Sequence, residues 1–407
     1  MGRRQTELLL CCLLLLPAGL LFSRALLSAA LIGFVAVSVA HRRIGEQWRT
    51  FLSAPYCWGL SLLFLLPMLS GLWSEDRYQW LASLQVKLPL LFLPVAFSAP
   101  FQFSRRQWNL LALVFLLFVS LGVAWSIGHY LTDPEGVTQG YLRAKSLVTP
   151  LENDHVRFSW LVAMAIIPAI WMHRAYRGSA PFISVLSLAA AVLFVFYLHL
   201  LAARTGLIAF YLGTLVLAVY WIRRTQTRIR GLLLLIACFV VPVVATLALP
   251  SLQNRLHYLR YESAWFRKGA YLPGATDAVR ILSWKAGWSV MMEQPITGTG
   301  FGDILKHTRA WYELHVPGML ESDRIYPSSE WLLYGVALGL PGFLLFTLAV
   351  ALPLLQRTRY PLPWVVLQLT AAGSFIADIG LEVQYGVFLY AFLSGWWARW
   401  FAAGPVK

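Results

Sequence analysis

The chain reads as an all-α polytopic membrane protein, with about twelve transmembrane helices and one large polar loop between the late ones. Three observations predict this. Hydrophobic residues make up 59% of the 407 residues and charged residues only 13%, about half the charged share of an ordinary soluble domain. Apolar runs that approach or exceed the span of a bilayer recur along the sequence. Between Pro250 and Glu330, by contrast, the chain stays polar for roughly eighty residues, too long for a connector and too charged to cross.

The apolar runs fall at 7–22, 25–40, 57–73, 81–99, 108–131, 156–172, 181–202, 206–222, 231–249, 331–354, 362–379 and 384–400. The first follows Arg3 and Arg4 in the manner of a secretory leader. No small-residue cleavage site separates it from the second run, so it is read as a helix. The first two runs are short, and the last carries several aromatic residues. The chain thus divides into helices one to nine over 1–249, a loop over 250–330, and helices ten to twelve over 331–407.

Basic residues orient the helices. With the N-terminus inside and twelve crossings, the inner segments hold Arg3, Arg4, Arg42, Arg43, Arg49, Arg105, Arg106, Arg174, Arg177, Arg223, Arg224, Arg228, Arg230, Arg357, Arg359, Arg399 and Lys407, against Glu7 and Glu46 alone. The remaining cations and acids balance, so the net charge of +15 is a topology signal. It is not the footprint of a nucleic-acid partner. Both termini face the cytoplasm and the large loop faces outward.

The four cysteines, Cys11, Cys12, Cys57 and Cys238, all fall in apolar runs, so no disulfide scaffold holds the loop. No Cys/His cluster has zinc spacing, and there is no P-loop or dinucleotide fingerprint. No metal or cofactor is expected. The loop opens basic, with Arg255, Arg260, Arg267, Lys268, Arg280 and Lys285 against Glu262 and Asp277. It closes acidic, with Lys306, Arg309 and Arg324 against Glu293, Asp303, Glu313, Glu321 and Asp323.

Charges at the membrane edge call for partners or a task. Lys87, inside the run at 81–99, snorkels outward or pairs with Glu75 or Asp76. Arg143, Lys145, His155 and Arg157 flank the start of the sixth run, beside Glu152 and Asp154. Arg204 lies in the apolar stretch His199–Gly206, as an ion-pair partner of Asp378 or Glu382 or as an anion ligand. Arg157, Arg204, Arg260 and Arg280 together suit a phosphate or pyrophosphate, because guanidinium matches phosphate oxygens in bidentate fashion. Taken singly, such residues are as well explained as anchors for anionic lipid head groups. Asp378 and Glu382, four apart, share one face if their helix continues; as close carboxylates they serve as a proton acceptor or as partners of Arg204 or Arg157. Gly298, Gly300 and Gly302 make a tight turn or allow close approach to a ligand. Trp284, Trp288, Trp311, Tyr312 and Tyr326 stack on sugars or belong to an interfacial belt.

From about Leu60 onward the chain resembles the O-antigen ligase and polymerase superfamily of bacterial inner-membrane glycan transferases. The matching pieces are Leu72-Trp73-Ser74-Glu75-Asp76 with Lys87-Leu88-Pro89, Asp154-His155-Val156-Arg157-Phe158-Ser159, and Ala203-Arg204-Thr205-Gly206. They continue with Arg280-Ile281-Leu282-Ser283-Trp284, Pro295-Ile296-Thr297-Gly298-Thr299-Gly300-Phe301-Gly302, and Ser328-Ser329-Glu330-Trp331-Leu332 ahead of Gly339-Leu340-Pro341-Gly342.

The resemblance implies an inner-membrane protein with one large periplasmic loop between late helices. It implies transfer of a glycan from undecaprenyl pyrophosphate to a hydroxyl of the lipid A core. Sister activities of the superfamily are repeat-unit polymerisation and protein O-glycosylation; a non-catalytic transporter or export partner is the remaining alternative. By motif, Arg204 matches a pyrophosphate-binding arginine, with Arg280 and Arg157 as weaker matches and Lys87 and Arg260 as further substrate-binding candidates. Where such ligases read His-Asn ahead of the next helix, this chain reads Ser328-Ser329. Glu330 and His315, with Asp378 and Glu382, are then the candidate catalytic residues, and His307 is a further stand-in.

Overall fold

All regular structure among the described residues is helical. The computed structural model describes residues 1–143, 145–267 and 271–402. Lys268 and Lys407 lie outside the described residues, as does the side chain of Arg267.

The first half comprises α1 (Arg3–Phe22), α2 (Arg24–Val39), α3 (Ile44–Ser53), α4 (Pro55–Ser70), α5 (Arg77–Phe97), α6 (Arg105–Thr132), α7 (Pro134–Gly140), the single turn α8 (Pro150–Asn153) and α9 (His155–Tyr176). The second half comprises α10 (Pro181–Leu201), α11 (Arg204–Ile222), α12 (Arg228–Ala248), α13 (Pro250–Arg267), α14 (Asp277–Glu293), α15 (Ile304–His315), α16 (Glu330–Ala351), α17 (Pro361–Ala377) and α18 (Gln384–Trp400). Each of the twelve expected runs lies in a helix, and the protein is polytopic. Among the described residues, eight helices are long and apolar enough to cross a bilayer, or nine if α2 and α3, bent by 111°, count as one span. The helices α4 and α17 are apolar but shorter. They fall short of the expected runs because the chain turns out of α4 after Ser70 and out of α17 at Asp378, which is extended.

The last helix is the centre of the bundle. Only Gln384, Gly386 and Arg399 of α18 are not buried. Its aromatics stack at helical spacing, with ring centroids 5.4 Å apart for Phe388–Phe392, 5.6 Å for Phe392–Trp396 and 5.2 Å for Trp396–Trp400. A helix apolar on every side is stable only when enclosed, by protein or by lipid. At the other extreme, Gly231 is the only buried residue of α12, which leaves Phe239, Val243 and Leu247 facing outward as a lipid-exposed span requires.

The glycine-rich turn after α14 is a structural lock. Gly298 and Gly300 have φ of 66° and 89°, which suits glycine and strains other residues. They let the backbone lie against α16, where Gly339 (φ 68°, ψ −163°) breaks the helix. The break frees the Val336 and Ala337 carbonyls, and Pro341 has no N–H to offer the second. Thr299 and Gly300 donate to them instead, each at 2.9 Å, while Leu340 N donates to Pro295 O at 2.8 Å. Asp303 then ties the turn to the α4–α5 loop: it accepts from Ser74 Oγ at 2.9 Å, Glu75 N at 2.7 Å and Asp76 N at 3.2 Å. Of the two readings of these glycines, the structure takes the tight turn.

Replacing Asp303 with Ala strands three buried or half-buried donors. We expect a loss of about 2–4 kcal/mol, read as a lower unfolding midpoint in detergent micelles. A midpoint unchanged from wild type would show that the turn is held elsewhere.

Candidate functional site

The site lies where α9, α11 and α18 begin and α10 and α17 end, under α13 and α14. Its floor is the two-residue turn between α10 and α11. Ala202 there is left-handed (φ 51°) and Ala203 extended, which starts α11 at Arg204. The buried Tyr141 hydroxyl donates to Leu201 O at 2.8 Å and accepts from Leu147 N at 3.3 Å, pinning this turn to the chain after α7. Burial pushes the Tyr141 phenol up to about 12, so it stays a donor.

Arg204 forms an ion pair with Asp277, the first residue of α14. This corrects the expected partners, Asp378 and Glu382. Its Nε and Nη2 are buried without a hydrogen-bond partner. The α14 N-terminus is capped from α13 by the buried Glu262, which accepts from Asp277 N and from Ala278 N, the latter at 3.1 Å. One turn along α14 stands Arg280, and on α13 stands Arg255. Among the described residues neither has a carboxylate within ion-pair distance. Burial, and then the neighbouring Arg204 guanidinium, pull Arg255 below the usual guanidinium range. Its Nε is also buried and unpartnered.

These side chains surround hollows that share lining residues. The main cavity, about 440 Å³, is lined by Arg204, Asp277, Arg280 and Trp284, with Ile208 and Gly373 on its apolar side. An annexe of about 40 Å³ holds Arg204, Arg255 and Arg280 with Tyr141 and His155. A third hollow, about 30 Å³, is lined by Arg157 and Asp378. Thr205 lines all three. Of the expected substrate-binding residues, Arg157, Arg204 and Arg280 therefore converge. Arg260 does not: it is exposed on α13 and lines none of these hollows.

Arg157 is held by Asp378 at 3.1 Å, Ile379 O at 3.1 Å and Asp154 at 3.5 Å, and its Nε has no partner. Burial raises the Asp378 carboxyl, against the pull of Arg157 and Arg280. Asp378 and Glu382 do not share a helix face as expected. The helix ends at Ala377, and Glu382 lies in a 3-10 turn, Gly380–Glu382. Glu382 turns instead to Lys87, which is wholly buried and sits 5.1 Å from the Phe301 ring centroid. Lys87 thus pairs with neither Glu75 nor Asp76. Glu75 bonds Lys306 at 2.8 Å, and Asp76 caps α5. Burial pushes the Glu382 carboxyl up and the Lys87 ammonium draws it back.

Glu330, also wholly buried, accepts from Leu381 N at 2.6 Å and so braces the same turn. Its second oxygen has no partner. Neither Glu330, Glu382 nor Lys87 lines the arginine hollows. His315 is exposed at the end of α15, stacked on Trp311 with centroids 4.4 Å apart. Ser328 is buried beside the site: its N–H donates to Ser283 Oγ and its carbonyl accepts from Trp284 Nε1, both at 3.0 Å.

Two site residues were not singled out from the sequence. Arg255 was named only within the basic stretch; the helical spacing of Arg255, Leu259 and Glu262 carries the signal, since it puts all three on one face of α13. His155 follows three residues with positive φ, Leu151 (61°), Glu152 (58°) and Asn153 (68°). Each costs about 1–2 kcal/mol outside glycine. Arg24 holds Glu152, and Thr149 N donates to Asn153 Oδ1 at 3.1 Å, which keeps the turn in place.

A family model described as O-antigen ligase matches residues 189–347. The match runs from within α10 into α16 and takes in Arg204, Arg255, Arg280 and Glu330. It bears out, over this stretch, the resemblance read from the motifs. No curated protein matches the chain.

Replacing Lys87 alone with Met leaves the buried Glu382 carboxylate without its counter-ion, and we expect a loss of about 3–5 kcal/mol of stability. The double variant K87M/E382Q should regain most of it, as read by thermal unfolding in micelles. A single variant as stable as wild type would reopen Lys87 as a substrate contact.

Proposed function

Starting from the O-antigen ligase domain carried by residues 189–347, we propose that the protein transfers a glycan from a lipid pyrophosphate, undecaprenyl pyrophosphate in bacteria, to an acceptor hydroxyl. The observation that carries this reading is the convergence of Arg204, Arg255 and Arg280 on one set of hollows; among the described residues, Arg204 alone of the three is in an ion pair. Three cations kept this close repel one another, and a multivalent anion relieves the repulsion. Buried guanidinium nitrogens without partners supply the donors. A diphosphate fits this chemistry, because its oxygens take bidentate contacts from several guanidinium groups at once.

The reaction needs negative charge stabilised on the departing diphosphate as the glycosidic bond breaks. Arginines fixed before substrate arrives do so with little reorganisation. The apolar wall at Ile208, Leu259, Ile281 and Ala377 suits the first units of a prenyl chain. Arg157, held by Asp378 at the third hollow, extends the cationic wall toward the glycan side. The acceptor we propose is a sugar of the lipid A core.

The site faces the periplasm of the inner membrane in this reading, with both termini cytoplasmic. What supports it is the charge asymmetry. The far end of the bundle carries the cations at the starts of α1, α6 and α12 and the ends of α9, α11 and α18, such as Arg105, Arg174, Arg223, Arg228 and Arg399. The chain between α12 and α16, residues 250–330, is then the periplasmic segment, and α13, α14 and α15 are its helices.

Purified protein in lipid nanodiscs, given a labelled glycan on a prenyl pyrophosphate and lipid A core as acceptor, should transfer the label. Arg204→Ala, Arg255→Ala and Arg280→Ala should each lower kcat/KM by about 10²–10³. Inorganic pyrophosphate should inhibit wild type far more strongly than these variants. Wild-type protein that neither transfers nor responds to pyrophosphate would end this reading.

A further inference from the structure

This inference rests on the transfer reaction just proposed. An acceptor hydroxyl that attacks a glycosyl carbon must lose its proton, and the site offers few groups to take it. Its carboxylates are engaged. Asp277 holds Arg204 and Asp378 holds Arg157. Asp154 caps α9 through Arg157 N at 3.1 Å, and Glu262 caps α14. Glu382 holds Lys87. Glu330 braces Leu381 N away from the hollows. Among the described titratable side chains that line the hollows, of those outside any ion pair or helix cap, His155 is the one whose side-chain type accepts a proton near neutral pH.

The backbone sets its place in the hollow. His155 opens α9 and lines the annexe with Arg204, Arg255, Arg280, Tyr141 and Ser146. It stands two residues after Asn153, the last residue of the left-handed turn. Asn153 is itself held in the left-handed turn through its side chain and its N–H, which donates to Thr149 O at 3.2 Å. The left-handed turn before α9 sets where the helix, and with it His155, begins.

We propose that His155 is the proton acceptor of the transfer. Its neutral imidazole takes the hydroxyl proton as the acceptor oxygen bonds to the glycosyl carbon. The bond from that carbon to the diphosphate oxygen breaks, and its electron pair leaves with the lipid diphosphate, which stays on Arg204, Arg255 and Arg280. The imidazolium then gives its proton to water. The charged and titratable groups around His155 are Asp154 and Arg157 on its own helix, Tyr141 after α7, Arg204 on α11, Arg255 on α13 and Arg280 on α14. The end of α10 contributes only the uncharged Leu201 and Ala202 to the annexe.

The test uses the full chain in nanodiscs and follows kcat, donor KM and inhibition by inorganic pyrophosphate across pH. In wild type, kcat should fall as pH drops and the imidazole protonates. In His155→Gln, kcat should fall by about 10²–10⁴, the acid limb should vanish, and donor KM and pyrophosphate inhibition should stay within threefold of wild type. Added imidazole should restore part of the rate of His155→Ala, an effect that a merely structural role for the side chain would not give. Thermal unfolding of both variants checks that they fold, and His155→Asn replaces any variant that does not. A His155→Gln protein with kcat within threefold of wild type overturns the proposal. So does a loss confined to donor KM with the acid limb intact, or an His155→Ala protein deaf to imidazole. In each of these results transfer by wild type still stands, so the donor reading survives; wild-type protein without transfer or pyrophosphate inhibition removes both.

Discussion

Guanidinium groups crowded into one part-buried hollow are the constraint on which this molecule turns. Arg204, Arg255 and Arg280 come from α11, α13 and α14, and no local sequence preference would bring them together. They are held by one ion pair, Arg204 to Asp277, and by the cap that Glu262 places on α14. The pair and the cap fasten the polar segment onto the bundle, and among the described residues they leave two of the three cations without a carboxylate at ion-pair distance. Repulsion among like charges in a medium poorer than water in screening is unfavourable until an anion arrives. In the proposed reading, a bound diphosphate relieves that imbalance.

The motifs sort into two physical roles once they are placed. Trp73–Asp76, Gly298–Asp303 and Val336–Pro341 form one backbone lock, in which carbonyls freed by a helix break meet N–H groups of a glycine turn and one aspartate gathers the ends of another loop. Lys87, Glu382 and Glu330 form a second brace below it, around the turn that follows α17. Neither touches the arginine hollows. The residues around Arg157, Arg204 and Arg280 do, and they share Thr205 as a common wall. A motif that carries a resemblance can thus mark the scaffold that holds a site as readily as the site itself.

The brace and the site are still coupled through the chain. Glu330 and Lys87 fix the 3-10 turn at Gly380–Glu382, and just ahead of it Asp378 and Ile379 hold Arg157 from two sides. Lys87 and Arg204 each pair with a carboxylate far away in the sequence.

Apolar runs of bilayer length determined by themselves that this is an all-helical polytopic membrane protein, because water and lipid impose that pattern on any chain that crosses. The sequence also marked Arg157, Arg204 and Arg280, since an arginine in an apolar setting needs a reason. Only the tertiary structure decided which charges meet: that Asp277 takes Arg204, that Glu382 takes Lys87, that α17 stops short of joining Asp378 to Glu382, and that Arg255 and His155 face the hollow. Electrostatic partnership depends on distance through space, and in a bundle of crossing helices that distance is set by packing between segments far apart in the chain.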